Sequence, residues 1–96
     1  MKFSGKQVAA ARELLGITQP ELATAAGVGL NTVVRFETGQ GEPYQASRAK
    51  IQAELERRGI EFTNGNSPPP EGEGFGVRLN LTKAAAYVRA EKGSAK

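Results

Sequence analysis

The side chains that most often carry catalysis are largely missing from this chain. It contains no His, Cys or Asp, and its ten acidic residues are all Glu. The imidazole base, the thiolate nucleophile and nearly all of the usual metal ligands are therefore absent. Two Glu pairs lie close in sequence, Glu54/Glu56 and Glu71/Glu73. The first pair points to different sides of a predicted helix and the second lies in a Gly-rich loop. Both are interpreted as solvated carboxylates, so the sequence predicts no enzyme, no metal and no cofactor.

Length and composition restrict the class of protein further. A chain of 96 residues allows one domain with a modest core, and dimerisation often stabilises domains of this size. The longest apolar runs are far shorter than the roughly 18 residues that a membrane span needs. The first six residues lack the apolar core of a signal peptide. Together with the absence of Cys, these features predict a cytoplasmic protein with no membrane partner.

The net charge of +3 is too small to identify a nucleic-acid binder, but its distribution is uneven. Residues 1–59 carry eight basic and six acidic side chains, residues 60–80 carry one and three, and residues 81–96 carry four and one. The two ends are basic and the middle is slightly acidic. The same division matches three predicted units: a helical domain, a β-hairpin extension and a basic C-terminal helix or tail.

Four helices are predicted within residues 1–59 by their caps, their glycine stops and their apolar spacing. The predicted helices run from the Ser4 cap to about Leu15, from Thr18 to Ala26, from Leu30 to Thr38, and from Gln45 to Arg58. Thr18 and Glu21 have the spacing of a capping box. The residues expected to face inward are Val8, Ala11, Leu14 and Leu15 in the first helix and Ala49, Ile51 and Leu55 in the fourth.

The periodicity changes after Gly59. Residues 60–63 and 77–80 alternate apolar and polar side chains, which predicts two strands that pair as a hairpin. The Pro- and Gly-rich segment 64–74 between them is a predicted long and mobile loop. Since a lone hairpin is marginal in water, it is expected to pack on the helices or on a second subunit. Residues 81–92 form either a docked helix or a frayed basic tail. The helix would have a weak apolar stripe made of Leu81, Ala84, Ala85 and Val88.

Residues 19–38 have the pattern of a helix-turn-helix. The steep crossing of two short helices needs a small residue, which Ala23 supplies. The turn needs a positive φ, which Gly27 supplies without Cβ strain. Apolar residues occupy the inner-face positions, namely Leu22, Ala26, Val28, Val33 and Phe36. A generic helical hairpin has no reason to place Gly at the turn, so the seven positions together indicate this motif.

On these residues the chain resembles the phage-repressor-like helix-turn-helix family, the group of lambda repressor, Cro and Xre. The resemblance covers about residues 4–58 and is carried by the segments Leu14–Gln19, Glu21–Ala23, Ala26–Val28 and Phe36–Gly39. The segments Gly59–Phe62 and Gly76–Leu79 are similar to a tail of many small bacterial regulators of this group. The resemblance implies a mainly α fold with a small β-hairpin. This fold is a lambda-repressor-like helical bundle followed by a two-stranded extension.

The resemblance also implies how double-stranded DNA is bound. The third helix is expected to enter the major groove, with Leu30, Asn31 and Arg35 facing base edges. Asn31 suits adenine, Arg35 suits guanine, and Leu30 suits a thymine methyl group. Phosphate contacts are expected from Gln19, Thr18, Thr32 and Lys6. Gln19 would use its side chain or its backbone N–H.

Several positions bear on this interpretation without contacting bases. The family pattern implies a partly buried ion pair between Arg12 and Glu37, which makes Glu37 structural. Gly29 replaces the usual Ser or Thr cap of the third helix, which removes a hydroxyl that can hold a phosphate. The loop at residues 40–42 reads Gln-Gly-Glu where related proteins often have Lys or Arg. Each missing phosphate contact lowers DNA affinity and its salt dependence.

The leading hypothesis is a repressor-type transcriptional regulator that acts as a homodimer on a pseudo-palindromic operator. Helix 4 and the hairpin at residues 60–80 are the candidate dimer surfaces, and the strand at residues 60–62 is a candidate for pairing across the two-fold axis. The basic residues Lys83, Arg89, Lys92 and Lys96 either reach phosphates or form a solvated end.

A second hypothesis keeps the fold but changes its role. The same domain would be a protein-interaction module, such as an antitoxin or an anti-activator. An exposed Leu30, the apolar Val34 and the neutral-to-acidic loop after the third helix favour it. Arg35 would then be a solvated surface residue.

Overall fold

The computed structural model describes residues 3–64 and 75–94, which form five α-helices and one antiparallel two-stranded sheet. The helices are α1 (Gly5–Leu15), α2 (Gln19–Ala26), α3 (Leu30–Glu37), α4 (Gln45–Arg57) and α5 (Leu81–Ser94). The strands are β1 (Ile60–Asn64) and β2 (Phe75–Leu79). The fold is mainly α with a small hairpin, as the sequence predicted. The predicted loop lies, from residue 65 onward, outside the described residues.

Capping residues set the bounds of the first two helices. The Ser4 hydroxyl accepts the backbone N–H of Gln7 at 3.3 Å, and Gln7 Oε1 accepts the Ser4 N–H at 2.9 Å. Thr18 and Glu21 form the same reciprocal box at the start of α2, which confirms that prediction. Gly27 follows α2 with a φ of 74°, a left-handed conformation that residues with a Cβ rarely adopt.

An apolar core joins the first four helices to the hairpin. Its buried members are Phe3, Val8, Ala11, Leu22, Ala23, Val33, Phe36, Ile51, Leu55 and Ile60. The Phe3 ring lies 4.8 Å from the Phe62 ring on β1 and 5.8 Å from the Phe36 ring on α3. The segment before α1 therefore lies between the helix-turn-helix and the hairpin, and both exclude water from it.

Two residues expected to face inward are exposed instead. Leu14 is 50% exposed because it lies about a quarter turn away from the α1 face that buries Val8 and Ala11. Ala49 is exposed because inward positions of α4 are occupied by Arg48 and Glu54. Ile51 and Leu55 are buried as predicted, but Glu54 is buried and ion-paired rather than solvated. Apolar spacing gives no weight to charged residues that are paired inside the fold, which is why Ala49 and Glu54 were misassigned.

The hairpin packs on the protein's own helices. Its register pairs Ile60 with Leu79, Glu61 with Arg78, Phe62 with Val77, Thr63 with Gly76, and Asn64 with Phe75. β1 contacts α4 and β2 contacts α1. The buried Gln7 side chain ties them together, since its Nε2 donates to Thr63 O at 2.6 Å and to Gly76 O at 3.0 Å.

The residues after the hairpin form a helix rather than a frayed tail, but the predicted apolar stripe does not dock. Leu81 is 76% exposed, and Val88 is also exposed. α5 is held instead by Tyr87, whose ring lies 4.9 Å from the Arg57 guanidinium carbon and 5.0 Å from that of Arg58. Within residues 3–64 and 75–94, no helix is both long enough and apolar enough to cross a membrane.

Candidate nucleic-acid interface

The geometry of the candidate interface begins with the crossing of α2 and α3. Leu22 and Ala23 on α2 are buried against the core that also holds Val33 and Phe36 of α3. The N–H of Gly27 donates to Ala23 O at 3.0 Å and closes α2 immediately before the turn. The small side chain of Ala23 and the left-handed turn together let α3 cross close to α2, as the motif predicts.

The opposite face of α3 is turned to solvent and carries the three predicted base-reading residues. Asn31 and Arg35 are exposed and are one helical turn apart, while Leu30 is 43% exposed at the first position. Val34 lies on the same face and is half-buried. Because Val33 and Phe36 fix the inner face, the two polar side chains are presented together at one surface of the molecule.

The interface continues from α3 into the loop that precedes α4. A surface cleft is lined by Asn31, Thr32, Arg35, Gly41, Glu42, Pro43, Tyr44 and Ser47. Tyr44 directly precedes α4 and is 88% exposed. Sequence reasoning missed Tyr44, although an aromatic residue in a polar loop beside the motif is a recognisable signal.

The start of α2 is joined to the end of α3 by a buried carboxylate. Arg12 Nε donates to Glu37 Oε2 at 3.0 Å and Arg12 Nη2 to Oε1 at 3.2 Å, which confirms the predicted ion pair. The hydrogen bond to Glu37 raises the pKa of Arg12. Gln19 Nε2 also donates to Glu37 Oε1, at 3.0 Å. The Gln19 side chain is therefore oriented by Glu37.

The other predicted phosphate contacts lie at separate points around this surface. Thr18 is exposed, and its side-chain oxygen accepts the N–H of Glu21. Thr32 is half-buried and lines the cleft between α3 and α4. Lys6 is exposed on the first turn of α1 and lines a second cleft beside the end of α3. Lys6 thus lies near the C-terminal end of α3, and Thr32 lies near its N-terminal end.

Arg48 fixes the loop between α3 and α4, a role that no local sequence pattern predicts. Its guanidinium lies 5.0 Å from the centre of the Phe3 ring and 4.8 Å from that of the Phe36 ring. Nη1 donates to the backbone oxygen of Phe3, and Nη2 is paired with the Glu42 carboxylate. A buried cation therefore connects the N-terminal segment, α3 and the loop.

Comparison with known proteins agrees with this geometry. Residues 8–45 match the sequence profile of the helix-turn-helix family. The matched segment includes α2, α3 and most of α1, together with the cleft-lining loop. No curated protein matches the chain. Residues 8–45 are thus similar to the Xre and lambda-repressor-like helix-turn-helix, a domain type of DNA-binding regulators, and this match supports the resemblance seen in the sequence.

Proposed function

We propose that this protein is a sequence-specific, repressor-type transcriptional regulator that binds a pseudo-palindromic operator as a homodimer. The observation that carries the proposal is the exposed face of α3, where Leu30, Asn31 and Arg35 are presented together to solvent. A helix presented in this way fits the width of the major groove.

Each residue on that face has a matching base edge. The Asn31 amide can donate to and accept from adenine at the same time, and the Arg35 guanidinium can donate twice to guanine. Leu30 offers an apolar contact to a thymine methyl group. One turn of helix therefore supplies contacts to a few neighbouring base pairs.

The proposed phosphate contacts surround this face. They are Gln19, Thr18, Thr32 and Lys6. The hydrogen bond from Gln19 to Glu37 orients its side chain, while its backbone N–H at the start of α2 suits a phosphate oxygen. Such contacts fix the register of the protein on the duplex without reading its sequence.

The homodimer is proposed because one recognition helix reads too few base pairs for useful specificity. α4 and the hairpin are the proposed surfaces. The side chains of Ile60 and Phe62 already pack in the protein's own core, so β1 would contribute its backbone edge rather than its apolar side chains. On α4, exposed Ala46, Ala49 and Ala53 allow close approach of a second helix.

Selection from a random duplex pool at two salt concentrations tests the proposal. We expect a short inverted repeat whose affinity falls steeply as salt rises. Arg35→Ala should then lower operator affinity by about 1–3 kcal/mol and relax one base preference. Arg89→Ala is the control, because it removes the same charge from an exposed residue of α5, which lies outside both the proposed DNA-facing surface and the proposed dimer surfaces. Recovery of no preferred sequence would contradict the proposal.

A protein-interaction module is the second candidate, favoured by the exposure of Leu30 at the start of α3 and of Tyr44 in the cleft beside α3. An antitoxin or an anti-activator would use this surface for a protein partner. In that case no duplex is enriched, Arg35→Ala changes nothing on DNA, and substitutions at Leu30 or Val34 abolish capture of the partner.

A further inference from the structure

An acidic side chain lies within the proposed DNA-facing surface. Glu42 lines the cleft that contains Asn31, Thr32 and Arg35. It also lines the second cleft, which contains Lys6. The Arg35 guanidinium lies beside the residue preceding Glu42, since a Cβ on Gly41 would be 3.7 Å from Arg35 Nη2. Glu42 therefore lines both of the clefts that hold the cations proposed to contact DNA.

This carboxylate is held in place. The Glu42 side chain is 69% exposed, and its partner Arg48 is buried. The Arg48 guanidinium is itself fixed by the backbone oxygen of Phe3 and by two aromatic rings. Moving the carboxylate away would leave a buried cation without its anion, which is strongly unfavourable. Because the Arg48 guanidinium is buried beneath the Glu42 carboxylate, this ion pair presents its negative charge to solvent.

We infer that Glu42 is a negative determinant of DNA affinity, a fixed charge that opposes the approach of phosphates to the cleft between α3 and α4. The inference rests on the proposed DNA-binding function. Phosphate contacts supply essentially all of the affinity that is independent of sequence. A repelling charge in this cleft lowers binding to every duplex, so base contacts from α3 become a larger share of the total affinity.

Glu42→Gln is the test, with Glu91→Gln as the matched control. Glutamine keeps an oxygen that accepts a hydrogen bond from Arg48, so the buried cation retains a partner. Glu91 is likewise an exposed carboxylate paired with an arginine, Arg57, and it lies on α5 rather than beside the α3 cleft. Both substitutions change the net charge equally, and only the first removes a charge from the DNA-facing surface.

The measurement is the Kd for a fluorescently labelled, mixed-sequence duplex at roughly 50 and 200 mM salt. We expect Glu42→Gln to bind about three- to tenfold more tightly than wild type at low salt, with a smaller gain at high salt. Glu91→Gln should bind as wild type does. Unchanged affinity of Glu42→Gln, or an equal gain in Glu91→Gln, would overturn the inference.

A double variant keeps the test valid if Glu42→Gln fails to fold. Glu42→Gln combined with Arg48→Met removes the exposed carboxylate and the buried guanidinium together and leaves the net charge unchanged. Replacing a buried ion pair by apolar packing is often neutral for stability. We expect the same tighter binding from this variant, and unchanged binding would again overturn the inference. If wild type and all variants bind no duplex, the proposed DNA-binding function itself fails. If wild type binds and only the gain is missing, that function stands without this inference.

Discussion

At the scale of single residues, Gly5 brings the first turn of α1 against the end of α3. A Cβ at this position would lie 1.8 Å from Phe36 O and 2.6 Å from Phe36 C. Both atoms belong to the backbone, so no side chain can move aside to make room. The end of α3 is therefore positioned by a glycine that lies outside the helix-turn-helix itself.

Gly5→Ala is expected to destabilise the protein by about 3 kcal/mol, because the two helices must separate to admit the methyl group. Urea denaturation measures this loss as a lower unfolding midpoint for Gly5→Ala than for wild type. Gly41→Ala is the control, since its nearest neighbour is the Arg35 side chain at 3.7 Å. Equal midpoints for the two variants would show that α1 and α3 have room for a methyl group at residue 5.

Sequence reasoning succeeded for residues whose role follows from local spacing. Thr18, Glu21 and Gly27 act within one turn of their own position, and all three have the predicted roles. Gln7 and Arg48 were missed because the backbone oxygens to which their side chains donate are 45 or more residues away in sequence. No local pattern shows that a polar residue will be buried against a distant backbone oxygen.

At the scale of elements, Glu61 joins the hairpin to α5. Its carboxylate accepts from Arg78 across the strands, from Lys83 on α5 and from Asn80 between them, each at 3.0 Å. The hydrogen bond from Lys83, followed by that from Asn80, lowers the pKa of Glu61. Asn80 also caps α5, because its side-chain oxygen accepts the N–H of Lys83.

The lowered pKa of Glu61 predicts a loss of stability in acid. A carboxyl whose pKa is lower in the folded state stabilises the fold fully above its unfolded pKa, about 4.3, and this contribution disappears as the pH falls through the folded pKa. We expect Glu61→Gln to weaken the fold slightly at neutral pH and to flatten this acid dependence. Thermal unfolding followed from neutral pH down to about pH 3 measures both effects.

Glu56→Gln is the control for this experiment, because Glu56 accepts a hydrogen bond from Gln52 and not from a cation. It should keep the acid dependence of wild type. An identical pH profile for Glu61→Gln and wild type would contradict the role given to Glu61.

The sequence predicted the type of the first four helices and of both strands, and it left α5 open between a helix and a tail. The two strands were predicted to within two residues of their bounds, since alternation with period two is a local property. The packing of α5 was not predicted, because Leu81 and Val88 of its apolar stripe are exposed. α5 is held by two contacts with Arg57: the Tyr87 ring lies against its guanidinium, and the Glu91 carboxylate forms an ion pair with it. Helical periodicity does not predict contacts of these kinds.

At the scale of the whole molecule, α5 and α3 lie at opposite ends of α4. Tyr44 lines the α3 cleft immediately before α4, whereas Arg57 at its last turn contacts α5. Thirteen helical residues span about 20 Å. Charges on the first turns of α5 are therefore far from a duplex bound at α3.

Tyr87→Ala is expected to lower stability by about 1 kcal/mol, because two exposed cation–π contacts are lost. Its affinity for the selected operator, and the slope of that affinity with salt, should equal those of wild type. Thermal unfolding and duplex titration of the same preparation measure the two quantities. A weaker operator complex would mean that α5 contributes to DNA binding or to the dimer.

The buried amide of Gln7 has a consequence for modular use of this protein. It completes the cap of α1 and holds both strands, and Phe3 stacks on Phe62 beside it. A fragment ending at Gly59 would leave that amide without its strand acceptors and would uncover Phe3. The four-helix segment therefore cannot be transferred to a chimeric regulator on its own. Such a chimera must also include the hairpin.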